Sequence, residues 1–283
     1  SASGQTNVDD RLLVTGISTF SGNITANGNI AGDNSTNITG IAAITAGSDA
    51  TINSVTVGKG ANSVTGNTVL GESALDASNS GSGNNTAIGK NALTNNTTGN
   101  QNVAVGSGSL AANTTAIHNT AVGYIAMEDN TTGANNTAVG KGALSSNTTA
   151  DDNTAVGLDA LGANTTGTLN TAVGSGCLDA NTTGDQNTGL GRNTLGANTT
   201  GSDNTAVGKD ALYANTTGDD NIAVGKNALY SNTTANYNTA VGRSALLSNT
   251  TGHSNVAVGY QALDANTTAN HNTAIGLNAL GAN

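Results

Sequence analysis

The sequence predicts an all-β fold, a parallel β-solenoid (β-roll) of 17-residue coils, on three observations. The motif Asn-Thr-Ala-Val-Gly recurs every 17 residues from Asn85 onward without a slip. Each repeat holds two short apolar clusters separated by Gly and by Asn-Thr-Thr, which is not the i, i+3, i+4, i+7 stripe of an amphipathic helix. The chain is also rich in Gly, Asn and β-branched residues, which are poor helix formers. We expect two short strands per coil, and twelve coils stacked at the ~4.8 Å strand spacing make a rod about 58 Å long.

The repeat reads N-T-A-V-G-x-x-A-L-x-x-N-T-T-G/A-x-x, and its positions are numbered 1 to 17 below. Position 5 is always glycine, which predicts a corner with positive φ. Asn at positions 1 and 12 suits corners as well, and its stacked side chains can hydrogen-bond from coil to coil. The predicted glycine corners are Gly89, Gly106, Gly123, Gly140, Gly157, Gly174, Gly191, Gly208, Gly225, Gly242, Gly259 and Gly276.

The residues that vary least predict the interior. Position 2 is always β-branched and position 4 is Val, Ile or Leu. Because alternate residues of a strand share a face, we expect both positions to point inward. Position 9 is Leu in every copy but one, which has Met127. The predicted core therefore includes Val122, Leu144, Val173, Leu178, Val207, Leu212, Val224 and Leu229.

The composition argues against several classes of function. Only 2% of the 283 residues are aromatic, so we expect neither a compact enzyme core nor catalytic residues or a cofactor. The net charge of −10 argues against binding nucleic acid through its phosphates, and against an anionic membrane surface. No apolar run approaches the ~18–20 residues of a membrane span, so membrane insertion is not expected. The one cysteine, Cys177, stands in the small-residue column at position 8, which favours a buried residue over a reactive thiol.

The repeat also divides the chain. Residues 1–50 alternate β-branched and small polar residues with frequent Gly, which predicts an extended fibrous β segment. Residues 51–84 form a transition with irregular coils, with a local loop expected at 76–83, and residues 85–283 form the 17-residue solenoid. The chain ends inside a repeat, so we expect the native protein to continue. Because each coil offers few large apolar side chains, we expect a second packing partner, most simply two further copies in a homotrimer.

Several surface patterns allow either a structural or a ligand-binding interpretation. Six of the eight basic residues stand at position 6, and Arg192, Lys209, Lys226 and Arg243 do so in successive coils. This row predicts either solubility and pairing with acids or a strip that binds an anionic glycan. Tyr213 and Tyr230 share position 10 of adjacent coils, which predicts sheet stabilisation or sugar stacking.

Other patterns lie on turns. The acidic pairs at 151–152 and 219–220 predict solvated turns, with calcium binding as the alternative. His118, His253 and His271 lie at positions 16 and 17, where surface residues are expected rather than ligands or general bases. Each Asn-Thr-Thr is formally an N-glycosylation sequon, but its regular spacing favours a structural role. Exposed Thr ranks could also match ice, although alternation allows only one Thr per coil to face outward.

The motif resembles known fibrous repeats. The segment NSVTVGKGA (53–61) and the NTAVGxxAL units resemble the head repeats of trimeric autotransporter adhesins, which are parallel β-rolls with three chains to a rod. The NTAVGxxALxxNTTG form, with LLVTGISTFSGNITANGNI and GDNSTNITGI, is similar to repeats of phage tail fibres. The resemblance implies an extracellular, trimeric, receptor-facing fibre on a cell surface or virion, but it supplies no ligand. The expected partner is a host receptor or a surface glycan. An ice-binding solenoid and a self-assembling filament subunit are the alternatives.

Overall fold

The computed structural model describes residues 49–52, 55–77 and 83–281, all within one compact unit, Ala46–Asn283. A short 3-10 segment covers Ala61–Ser63. The strands are β1 (Ala50–Ile52), β2 (Val55–Gly58), β3 (Thr68–Gly71), β4 (Thr86–Ile88), β5 (Val103–Val105), β6 (Thr120–Val122), β7 (Thr137–Val139), β8 (Thr154–Val156), β9 (Thr171–Val173), β10 (Thr188–Leu190), β11 (Thr205–Val207), β12 (Ile222–Val224), β13 (Thr239–Val241), β14 (Val256–Val258) and β15 (Thr273–Ile275). Residues 1–48 of the predicted fibrous segment and the centre of the predicted loop lie outside the described residues.

The fold is an all-β parallel solenoid, as predicted. The strands form one sheet in chain order, and from β4 onward each residue pairs with the residue 17 positions later. The first coil starts earlier than predicted, because β3 pairs in parallel with β4 and the Asn67 side chain accepts the Asn85 backbone N–H at 2.9 Å. Strands β1, β2 and β3 pair antiparallel, which the repeat does not reveal.

Each coil has one strand, where two were predicted. Positions 6 to 11 form a continuous run of turns in which the residues at positions 7 and 9 have φ near +50° to +60° where they are not glycine, as at Asn91 (58°) and Leu93 (52°). These turns still bond to the neighbouring coils: Asn91 N donates to Glu72 O at 2.9 Å, and Leu93 N donates to Ser109 O at 3.0 Å. The second wall of the solenoid is therefore hydrogen-bonded between coils without being a β-strand.

The interior is narrow and is lined by columns of Leu at position 9 and of Ala at positions 3 and 8. The position-9 side chain is buried in every coil from Leu93 to Leu263, which confirms the prediction for Leu144, Leu178, Leu212 and Leu229, whereas Leu280 in the last described coil is exposed. The Ala residues at positions 3 and 8 are buried as well. Cys177 occupies one position-8 site with no exposed surface, as expected of a buried residue.

The prediction that positions 2 and 4 point inward is wrong. In the strands, position 3 is buried while positions 2 and 4 are partly or largely exposed. Val122, Val173, Val207 and Val224 are therefore not core residues but lie on the outer face. The reason is space: Leu from position 9 and Asn from positions 1 and 12 fill the interior, which leaves room for only a methyl group at position 3.

Buried asparagine side chains fill the part of the interior that large apolar side chains occupy in other proteins. Asn96 at position 12 donates to Gly99 O at 2.9 Å and accepts from Asn113 Nδ2 at 2.7 Å, so the side chains form a ladder from coil to coil. At position 1, Asn85 donates to the same Gly99 carbonyl at 3.0 Å and accepts the Asn102 backbone N–H at 3.0 Å. The predicted ladders are confirmed, but these side chains lie inside the solenoid rather than only at its corners.

The glycine corners at position 5 are confirmed, with φ between 124° and 144° in the twelve predicted copies. Close approach adds a second reason for glycine, since a β-carbon on Gly140 would lie 2.2 Å from the Gly157 carbonyl oxygen of the next coil. Any other residue here would strain its own backbone and push two coils apart.

Candidate binding surface

The strands present a regular uncharged surface to the outside, which we call the outer strand face: positions 2 and 4 of β4 to β15. Position 2 is Thr, Val or Ile and position 4 is Val, Leu or Ile in all twelve strands. Exposed fractions reach 38% at Val139, 48% at Leu190 and 44% at Ile222. Because the strands are parallel and in register, the side chains form two straight rows along the solenoid. The position-4 row is apolar in every strand, and a contiguous exposed apolar patch marks an interaction site when it is large.

A second surface is the row of cations at position 6. Arg192, Lys209, Lys226 and Arg243 are all exposed. The strand residues just before them, at position 4, pair directly from coil to coil. The structure therefore places the four residues side by side, about 4.8 Å apart. We call them the basic ladder.

Two tyrosines stack beside the turns. The rings of Tyr213 and Tyr230 lie 5.4 Å apart between centroids with 15° between their planes. The Tyr213 ring also lies against Gly196 of the preceding coil, where a β-carbon would be 3.0 Å from a ring carbon. This geometry supports a role in cross-coil packing, because Tyr213 is covered on both sides.

The turn at position 16 carries a ladder that the sequence analysis missed. The Asp219 carboxylate accepts the Ser202 backbone N–H at 2.8 Å, and Asp219 N donates to Asn236 Oδ1 at 2.8 Å. Asn236 N donates in turn to His253 Nδ1 at 3.2 Å. The restriction of this position in many coils to Asp, Asn, Ser and His, side chains that can accept a hydrogen bond, was the available signal. The acidic pairs thus lie on turns in which one carboxylate accepts a hydrogen bond from a backbone N–H of the preceding coil.

The histidines lie on exposed turns, as expected. His118 Nδ1 lies 3.3 Å from Asn135 Oδ1, and its Nε2 contacts Gln101 Oε1. His271 bonds through its backbone to His253 O at 3.0 Å. Among the residues that the structure describes, no group of three or more His, Cys, Asp or Glu is arranged to hold a metal ion.

Burial dominates the titration of Cys177. It raises the pKa of the thiol from 9.0 to about 12; the Asp179 charge adds to the rise and a backbone hydrogen bond at Val173 opposes it. Such a thiol stays protonated and unreactive at neutral pH. Burial also raises the pKa of the Asp179 carboxyl, opposed by the backbone N–H groups of Asp179 and Ala180 and aided by the charge of Asp159.

The two threonines of each Asn-Thr-Thr have different surroundings. Position 13 donates its hydroxyl to the next coil, as in Thr182 to Thr199 O at 3.0 Å. Position 14 is exposed in every coil from Thr98 to Thr268, so one Thr per coil faces outward, as expected. The sequon asparagine at position 12 is buried in the Asn ladder, from Asn96 to Asn266, so a glycan there is incompatible with the folded coil.

Two open clefts lie at the ends of the described solenoid. One, of about 310 Å³, is lined by residues that include Asp49, Thr56 and Asp76, and the Asp49 carboxylate accepts the Lys59 backbone N–H at 2.7 Å. The other, of about 300 Å³, is lined by Gln261, Asp264, Asn278 and Gly281. No helix in the described part of the chain is long and apolar enough to cross a membrane.

No protein-family model matches the chain, and no curated protein or solved structure matches it either. The outer strand face, the basic ladder and the exposed threonines are therefore interpreted from their own geometry.

Proposed function

We propose that this chain is a non-enzymatic structural fibre, built from three copies, that projects from a virion or cell surface and mediates attachment to a host or surface. The observation that carries the proposal is the outer strand face. This face runs the length of the solenoid and contains no charged residue. Its residue types are restricted, whereas the exposed position 6 takes Lys, Arg, Ser, Tyr and Leu in different coils.

The dimensions of this face suit self-association. A strip roughly 58 Å long and about 10 Å wide offers on the order of 600 Å² per chain, near the ~800 Å² per partner of a stable interface. The flanking turns would add to that area. Burying the Thr and Val rows at a common axis would supply the apolar packing that the narrow interior lacks, because each coil buries one Leu and a few methyl groups.

A stiff rod that repeats one coil also suits display. Each added coil lengthens the rod by one strand spacing without changing its cross-section. Outward positions 6 and 10 can then vary without disturbing the Leu, Ala and Asn columns inside. This division between an invariant interior and a variable exterior is what a fibre that carries binding groups at a distance requires.

The oligomer is tested by the native mass of the full chain. We expect three times the chain mass of 27.4 kDa. The variant Val207→Lys/Val224→Lys adds two charges to the outer strand face and should give the single-chain mass with unchanged circular dichroism. The control Ser107→Lys/Ser175→Lys adds the same charge at exposed position 6 and should keep the wild-type mass. A wild-type monomer at micromolar concentration would overturn the trimer.

Display is tested separately with a gold-labelled antibody against the chain, applied to source cells and to the particles they release. Label on the surface of either supports the proposal, and label confined to the cell interior contradicts it.

A second function has its own supporting observation. The exposed position-14 threonines form a straight rank, and within the described chain their hydroxyls make no hydrogen bond to another residue. Such a rank suits an ice-binding surface. Measurable thermal hysteresis that disappears in Thr183→Lys/Thr200→Lys, two central members of the rank, would establish that function in place of attachment.

A further inference from the structure

The basic ladder carries more positive charge than the nearby carboxylates neutralise. Lys209 pairs with Asp210 at 3.3 Å, and the Arg243 guanidinium lies 5.8 Å from the Tyr260 ring centroid. Arg192 and Lys226 have no carboxylate within ion-pair distance in the described part of the chain. Like charges held about 4.8 Å apart repel one another. Internal pairing therefore does not account for four cations in a row.

The fold does not require a cation at this position. Ser107 and Ser175 occupy position 6 in other coils, as do Tyr124 and Leu158. All of these side chains are exposed, so the position accepts small, aromatic and aliphatic residues as well as cations. The clustering of cations in four successive coils is thus a property of the surface and not of the packing.

The charge is also segregated around the coil. In residues 187–254 the cations stand at position 6 and three of the four acids, Asp203, Asp219 and Asp220, lie on the turn at positions 16 and 17. The fourth, Asp210 at position 7, is the partner of Lys209. The position-10 residues of the same four coils, Gly196, Tyr213, Tyr230 and Leu247, are all uncharged. A chain of net charge −10 therefore carries one locally positive strip.

We propose that the basic ladder binds a linear acidic polysaccharide, with one carboxylate or sulfate group facing each of the four coils. The ladder spans about 14 Å, three intervals of the ~4.8 Å strand spacing. A polysaccharide with acidic groups on successive sugars offers charges at a comparable, sparse spacing. Arg192 and Arg243 at the two ends present planar forks that suit carboxylate and sulfate groups.

Nucleic acid fits the strip less well. A duplex carries one charge per ~1.7 Å of its axis, which four cations on an otherwise acidic protein would neutralise poorly. The inference rests on the proposed attachment function, for which it names the class of ligand.

The test measures binding of the full chain to immobilised polyuronate and to a sulfated polysaccharide at about 50 mM salt, where screening is weak. The variant Arg192→Ser/Lys226→Ser uses the serine that other coils carry at position 6, so the fold should be kept. We expect it to weaken binding by about tenfold and to make the salt dependence shallower. The control Lys90→Ser/Lys141→Ser removes the same charge outside the ladder and should stay within about twofold of wild type.

Equal losses in the two double variants, or no wild-type binding to either polysaccharide, would overturn the proposal. Tighter binding to duplex DNA than to both polysaccharides would overturn the choice of ligand. Native mass and surface labelling do not depend on the ladder. If polysaccharide binding fails while the trimer and its surface labelling are observed, only the proposed ligand is overturned. If the trimer or the surface labelling is not observed while the ladder still binds polysaccharide, only the proposed fibre function is overturned.

Discussion

Cys177 fills the space that a β-carbon on Gly189 would need, since that atom would lie 2.5 Å from the Cys177 sulfur. Cys177 is the one cysteine in the position-8 column, and Gly189 is the one glycine among the twelve position-3 residues from Ala87 to Ala274. The two departures from the repeat thus meet in neighbouring coils, where the larger residue on one side is matched by the smaller on the other.

This pair should show strong energetic coupling. Gly189→Ala alone should lower the free energy of unfolding by about 1–3 kcal/mol through overpacking. Cys177→Ala alone should lower it by about 1 kcal/mol by leaving a void. The double variant Cys177→Ala/Gly189→Ala restores the Ala–Ala contact of most coils and should come close to wild type. Chemical denaturation of all four proteins gives the coupling energy, and additive losses would show that the two residues are independent.

The buried Asn ladder should contribute far more than exposed asparagine. Asn96→Ala removes the donor to Gly99 O and the acceptor for Asn113 Nδ2, so we expect a loss of about 2–3 kcal/mol. The matched control is Asn95→Ala, at an exposed position of the same coil, which should change stability by less than about 0.5 kcal/mol. Similar losses in the two variants, measured by thermal or chemical unfolding, would mean that water replaces the ladder at little cost.

A residue in strained backbone offers a stabilising change. Ile125 at position 7 has φ of 50°, a conformation that β-branched residues rarely adopt. Four other coils have Asn at position 7, with φ from 51° to 58° at Asn91, Asn193, Asn227 and Asn278. Ile125→Asn should therefore raise the free energy of unfolding by about 1 kcal/mol, although it removes an apolar side chain.

The neighbouring exposed residue provides the control for that change. Tyr124 lacks positive φ, so Tyr124→Asn should leave stability nearly unchanged. A clear loss of stability in Ile125→Asn would show that the packing of Ile125 outweighs its backbone strain.

Cys177 should make stability depend on alkaline pH. Its pKa rises from 9.0 to about 12 on folding, so above pH 9 the unfolded chain loses the thiol proton while the folded chain retains it. Stability conferred by the neutral thiol is therefore complete below pH 9 and declines as the pH rises towards 12. At two pH units above the unfolded pKa the loss is about 2–3 kcal/mol.

The measurement compares unfolding free energies at pH 8 and pH 11 for wild type and Cys177→Ala. The two proteins differ only at residue 177, so the difference between their pH dependences isolates the thiol. Parallel pH dependences would mean that the folded thiol ionises as easily as the unfolded one.

The period of the repeat was sufficient to predict the coil, the parallel stacking, the glycine corners and the Leu and Asn columns. Each of these follows from local geometry: a strict 17-residue interval places like residues above one another, and glycine alone suits the corner φ. The basic ladder also followed from spacing alone, since stacking brings the sixth residue of each coil into one row.

Which face of the Thr-Ala-Val strand lies inside was decided only by the folded coil. Alternation establishes that positions 2 and 4 share a face opposite position 3, but it does not say which face is buried. Side-chain size favoured Val for the core, yet Leu from position 9 and two Asn side chains already occupy the interior, so the strand contributes Ala. The Thr and Val rows that resembled a core are the outer strand face, available to other molecules.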